Sequence, residues 1–192
     1  MNIDRIKNIL LQPVGEWQKI AAEPADMKSL YVNYAMILAA IPAIAGFIGS
    51  AIVGHAIPFA GTTIRLPIVT ALGYAISEYI LSLIGVYLVS LLVDALAPTF
   101  GGEKNQINAL KLTIYSSTAG WLAGIFAILP GLQMLGILGL YGAYLFYTGL
   151  PVLMKCPSDK AAAYTVVSIL AAALLFSVAG MVGGGMGHSA LH

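Results

Sequence analysis

The residues able to do chemistry are few: of 192 residues, nine are Lys or Arg and eight are Asp or Glu. Glu78 stands out, lying about eleven residues into the apolar run 68–96. A carboxylate at the centre of a membrane helix costs about 2.5–3.5 kcal/mol even on insertion-based scales, so it must be neutralised, paired or used. Tyr74 and Ser82 are four residues away on either side and Gly85 is seven away, so all share one helical face. The spacing predicts a polar stripe directed into a helix bundle. One reading is a protonatable or ion-coordinating carboxylate in a path between helices. The other is a protonated glutamate bonded to a hydroxyl of Tyr115, Ser116, Ser117 or Thr118. Both stay open at this stage.

Asp94 is sixteen residues after Glu78, on roughly the opposite side of the helix, and is expected to meet Lys111 or Lys104 at the membrane surface. His188 and His192 are spaced four apart, and His55 is expected on the same side of the membrane. That spacing suits zinc on a helix. Here the pair follows a glycine run, without cysteine or carboxylate company, so no metal site is expected. Tyr141, Tyr144 and Tyr147 make an aromatic edge that reads as packing. No metalloprotease, nucleophile-elbow, P-loop or dinucleotide fingerprint occurs, and no histidine falls within an expected span. Neither an enzyme nor a cofactor is expected. The single cysteine, Cys156, excludes an intramolecular disulfide.

These residues must be positioned by a membrane fold. The composition is 59% hydrophobic and 9% charged, with mean hydropathy +0.90. Average soluble domains carry roughly 25% charged residues, so lipid is the expected solvent. A net charge of +1 gives no basis for a nucleic-acid partner. No cleavable signal peptide is read. Five spans are expected, at about 31–54, 68–96, 109–129, 132–154 and 160–182. Each approaches or exceeds the ~20 residues that cross a bilayer. Pro42 should bend the first, Pro130-Gly131 should turn the third into the fourth, and Ser158 is an expected N-cap for the fifth. Gly46, Ser50 and Gly54 on the first span, and Ser116, Gly120 and Gly124 on the third, form rows of small residues that allow close helix packing.

Residues 1–29 read as a cytoplasmic segment holding two short amphipathic helices, with Pro13 in the first turn of the second and Trp17 as an interfacial anchor. Residues 30–183 form the transmembrane domain, and the glycine-rich tail 184–192 should fray. Arg5, Lys7, Lys19, Lys28, Lys104, Lys111, Lys155 and Lys160 fall on one side of this threading, and Arg65 alone on the other. Lysine and arginine collect in the cytoplasm, so the N-terminus is expected inside and the C-terminus in the periplasm of a cell inner membrane.

Three stretches carry a family resemblance. They are Ile9-Leu10-Leu11-Gln12-Pro13-Val14-Gly15-Glu16-Trp17 followed by Glu23-Pro24, the Gly101-Gly102 turn, and Tyr144-Leu145-Phe146-Tyr147-Thr148-Gly149-Leu150-Pro151 before the Lys155–Lys160 turn. With residues 37–49, they resemble the YIP family (Ypt-interacting proteins), and within it the small bacterial inner-membrane members. The resemblance implies five spans with the N-terminus cytoplasmic, and it brings no catalytic residues. Eukaryotic relatives bind Rab-type GTPases and carry a long cytoplasmic N-terminal region with an acidic Tyr-Gly-Pro motif. About thirty residues precede the first span here, so that activity is not carried over.

The expected fold is an all-α membrane protein, a bundle of five transmembrane helices with an N-terminal amphipathic interfacial helix. The expected function is a non-enzymatic, membrane-organising or partner-binding scaffold. Its partners would be the lipid bilayer, other membrane proteins, and further copies of itself met through the small-residue rows. The competing expectation is a small transporter or channel using Glu78.

Overall fold

The structure is a computed structural model that describes residues 3–56 and 63–189. Two short helices open it, α1 (Ile3–Leu11) and α2 (Pro13–Ala22), with Pro13 in the first turn of α2 as the spacing predicts. Asp26 then caps α3 (Met27–Leu30): its carboxylate accepts from Ser29 N at 2.9 Å while Ser29 Oγ approaches Asp26 N in return. A π turn, α4 (Met36–Phe47) and a second π turn continue α3 into one helix, Met27–Val53. Gly54 (φ +82°) ends it in a backbone conformation open to glycine, and His55–Ala56 pairs antiparallel with Thr63–Ile64 where a plain loop is expected. Gly54 therefore serves a turn rather than the packing row expected of it.

The second long helix is α5 (Ile68–Leu96), tightened to 3₁₀ geometry up to Phe100 and stopped by Gly101 at φ +73°. Next come α6 (Gln106–Ser116) and α7 (Thr118–Ala123), separated at Ser117 (φ −69°, ψ −12°), then 3₁₀ turns over Gly124–Ile128. After an extended Leu129, further 3₁₀ turns over Pro130–Leu140 lead into α8 (Tyr141–Leu153). The last helix is α9 (Ser158–Ser189).

Among the described residues, three helices are long and apolar enough to cross a membrane: Met27–Val53, Ile68–Phe100 and Gly131–Leu153. They match the first, second and fourth expected spans within a few residues. The third expected span is instead a chain of short helical pieces, because the turn at Ser117 and the 3₁₀ winding from Gly124 break its regular ladder. Helical geometry runs through Gly183–Gly185, where fraying is expected; glycine accepts helical angles although its propensity is low. Ser158 is the first residue of α9 rather than its N-cap.

Buried side chains form two clusters. One joins Trp17 and Ile20 to Leu112, Leu145, Leu150 and Tyr164; the other joins Tyr34 and Leu38 to Leu110, Ile114 and Trp121. Outside them the helices present bare apolar surface, with Val69 83% and Met134 86% exposed. Water would not tolerate this much exposed apolar surface, whereas lipid does.

Candidate functional site

The Glu78 stripe does not point into the bundle. Glu78 is exposed, Tyr74 beside it is 66% exposed, and together with Ser77, Leu81 and Ser82 they line a shallow outward-facing hollow on α5. On the neighbouring helix it faces Gly46, where an added Cβ would lie 3.5 Å from Glu78 Oε2. Of the hydroxyls expected to hold Glu78, Thr118 bonds Tyr34 (2.8 Å), Ser117 donates to Thr113 O (2.8 Å) and Ser116 has no partner. The face itself turns inward at Ala71 and Gly85, seven residues to either side, and it is left open at Glu78, where the facing residue is a glycine without a side chain to cover it. Ser82 does point inward, accepting from Trp121 Nε1 at 2.9 Å. The three residues read as one site do line one hollow, and Ser82 alone of them also bonds into the bundle.

The side chains that do converge belong to the N-terminal arm. α1 and α2 fold against each other and α2 lies on α8. Trp17, expected at the lipid headgroups, is fully buried: its Nε1 donates to Thr148 Oγ1 at 3.2 Å, and its ring meets Tyr115 edge-on at 6.3 Å between centroids. Gly149 leaves the room, since an added Cβ there would lie 2.7 Å from the indole and 2.6 Å from Leu112. An amphipathic stripe fits a protein surface as well as a lipid one, and here the protein has taken it. Tyr34 is likewise interior, edge-to-face on Tyr115 at 4.6 Å.

Charges lock this arm. Arg5 pairs with Glu16 at 2.8 Å and with Glu23, and its guanidinium sits over the Tyr115 ring at 5.9 Å. Burial pulls the Arg5 pKa down, but the Glu23 hydrogen bond and the charges of Glu23 and Glu16 outweigh that, leaving it raised. Lys111, counted from sequence among the surface lysines, is 4% exposed. Its ammonium donates to Ile20 O at 2.8 Å and Glu23 O at 2.5 Å, closing the carbonyl end of α2. It does not pair with Asp94, whose Oδ1 is buried without a hydrogen bond. Lys111 and the Arg5–Glu16–Glu23 set were missed by sequence reasoning, although basic and acidic residues on two adjoining short helices were a visible signal. Tyr141 adds a bond from its hydroxyl to Leu10 O at 2.9 Å.

The small-residue rows are spent inside the protomer only in part: Gly120 is exposed, and nothing lies within 4 Å of a Cβ on it. A Cβ on Gly124 would lie 2.5 Å from Pro42 Cβ, one on Gly49 would strike Ala127, and one on Gly139 would lie 3.1 Å from Gly120 Cα. The side chains of His55 and His188, and His192 altogether, lie outside the described residues. Among the described residues, no three of His, Cys, Asp and Glu group as metal ligands would. Burial raises the Cys156 thiol pKa.

Comparison with known proteins extends the picture. A family profile described as the Yip1 domain matches residues 7–181. Two curated relatives, both called inner membrane protein YohC, come from Escherichia coli strain K12 and Escherichia coli O6:H1 strain CFT073. Each is 23% identical over 180 residues, covering 92% of this chain and 92% of its own. No solved structure matches.

Proposed function

We propose a function on one premise: the chain belongs to the Yip1 domain family and is an inner-membrane protein. It is a non-enzymatic, five-span scaffold that associates with further copies of itself and thereby organises the surrounding bilayer and its proteins. Three crossings are the long apolar helices. The pieces from Gln106 to Ile128 supply a fourth: 23 residues would cover about 34 Å as helix. α9 supplies the fifth. Five crossings put the termini on opposite sides, and the eight-to-one bias of lysine and arginine puts the N-terminus in the cytoplasm and the C-terminus in the periplasm. Residues 1–29 are then the docked cytoplasmic arm, 30–183 the membrane domain and 184–192 the tail.

The outward Glu78 face carries the self-association. Gly54 and Gly124 of the small-residue rows are packed within the protomer, which leaves the polar face the better supported interface. A polar stripe against hydrocarbon is costly, and pairing it across a two-fold axis gives each carboxyl a hydroxyl or carboxyl partner from the other copy. A passage for transport has less support, since Glu78 lines an outer surface rather than a route between helices. Oxidative cross-linking of Ser77→Cys in native membranes, in a Cys156→Ala background, tests the face. A disulfide dimer that disappears with Glu78→Leu is expected. Monomers only, at position 77 and equally at 74 and 81, would overturn the proposal.

A further inference from the structure

The corner of the N-terminal arm sits deep beside the membrane helices. Leu10, near the end of α1, shares a hollow with Ala119 and Leu122 of α7, Ile125 beyond it, and Leu138 and Tyr141 before and in α8. Its carbonyl accepts the Tyr141 hydroxyl at 2.9 Å. Two helices measure the depth of this point independently. The exposed ion pair of Lys155 and Glu103, at 2.7 Å, marks the aqueous end of the bundle. Tyr141 lies fourteen residues before Lys155, and Ala119 lies fourteen after Asn105, the exposed N-cap of α6. At 1.5 Å per residue either interval is about 20 Å. Headgroups take about 5–7 Å of that, which leaves Leu10 about 15 Å inside a hydrocarbon core ~30 Å thick.

The ends of the arm are shallow by the same measure. Ile20 O and Glu23 O bond Lys111 in the second turn of α6, and Trp17 reaches Thr148 near the end of α8. α2 therefore climbs along α8 from Pro13 toward the surface. Arg5, early in α1, pairs with Glu16 and Glu23, so α1 descends beside α2. The tip between them suits hydrocarbon. Leu11 and Val14 flank it and are 68% and 58% exposed. Pro13 has no N–H to leave unpaired, and Gln12, uncharged, donates its N–H to Asn8 O at 2.7 Å. Charges begin about one turn above the tip. There Glu16 is buried and paired with Arg5 at 2.8 Å and Lys19 at 3.2 Å, and the Lys7 stem carries its ammonium toward the headgroups.

We infer that the arm is a re-entrant hairpin whose Leu11–Val14 tip contacts phospholipid acyl chains of the cytoplasmic leaflet near the bilayer midplane. The arm thus stays cytoplasmic only at its two ends. The inference rests on the crossing proposed above for Gly131–Leu153, and the experiment separates the two.

Bimane on single cysteines reads depth, in a Cys156→Ala background and phosphatidylcholine vesicles containing nitroxide-labelled phosphatidylcholine. Leu11→Cys and Val14→Cys should be quenched more by a nitroxide at acyl carbon 12 than at carbon 5, and little by aqueous iodide. Both side chains are exposed, so the label displaces no packing. Leu138→Cys, 56% exposed on the long apolar helix, is the deep reference, and the exposed Lys104→Cys is the aqueous one. Stronger quenching from carbon 5, or iodide quenching equal to that at position 104, with Leu138 still reading deep, would overturn the hairpin alone. A shallow Leu138 would overturn the crossing and the hairpin with it. Val14→Asp supplies a second readout of opposite sign in the two solvents. Position 14 is in the first turn of α2, where a carboxylate in water stabilises a helix. In hydrocarbon the same charge should lower α2 amide protection by roughly a hundredfold. Unchanged or raised protection would contradict the insertion.

Discussion

Lys111→Met asks how much one ammonium contributes to holding the arm. The side chain is 4% exposed and spans from α6 to the end of α2, bonding Ile20 O and Glu23 O. Methionine keeps the length and apolar stem while removing the charge and both bonds. Hydrogen bonds to charged groups contribute about 1.5–3 kcal/mol each, and two lost together leave two carbonyls without their donor. Against this, a buried ammonium no longer needs desolvation, which recovers part of the loss. The balance is about 2 kcal/mol, or roughly a thirtyfold shift toward an undocked arm. Hydrogen exchange by mass spectrometry in nanodiscs reads this directly. Amides of α2 should lose about thirtyfold protection, while those of α5 and α8 keep theirs. Unchanged α2 protection would refute the clamp, and uniform loss across all helices would mean that Lys111 supports the whole bundle instead.

Removing the indole in Trp17→Ala should lower stability by about 3–5 kcal/mol through a large unfilled cavity. Trp17→Phe should lose only part of this, and thermal unfolding in detergent separates the two. Gly149→Leu should eject Trp17 from its seat, seen as a red-shifted and quencher-accessible Trp17 emission, because a Cβ there already meets the indole at 2.7 Å. The Ser29 side chain and backbone hold the Asp26 carboxyl below its ordinary pKa. Its contribution is therefore present above the unfolded value near 4 and is lost as pH falls through the lower folded value. Wild type should show an acid-dependent loss of protection at residues 27–30, and Asp26→Ala should show low protection at every pH.

The sequence makes the helices legible and their mutual contacts much less so. The long apolar runs and Pro13, Pro67 and Gly101 mark helix ends within a few residues, because length in hydrocarbon and backbone chemistry are local properties. The break at Ser117 has no proline or glycine to announce it, and the 3₁₀ winding of 130–140 follows from how that stretch lies on α7. The direction of a polar residue is hardest to read. Periodicity places Glu78, Tyr74 and Ser82 on one face, yet only the packing of neighbours decides that this face opens outward, with Ser82 at its edge bonding Trp121. Trp17 fails for a related reason, since headgroups and a protein groove reward the same amphipathic pattern. Lys111 reads from sequence as a surface cation and a partner for Asp94, while its buried role depends on α2 ending beside it, ninety-odd residues earlier in the chain.

Stepwise photobleaching of singly labelled protein in liposomes, at low protein-to-lipid ratio, tests the self-associating scaffold most directly. Two or more bleaching steps per particle are expected for wild type and for Glu78→Gln, which keeps its hydrogen-bonding capacity. Glu78→Leu should give single steps. Single steps for wild type, or unaltered association in Glu78→Leu, would contradict the role given to this face.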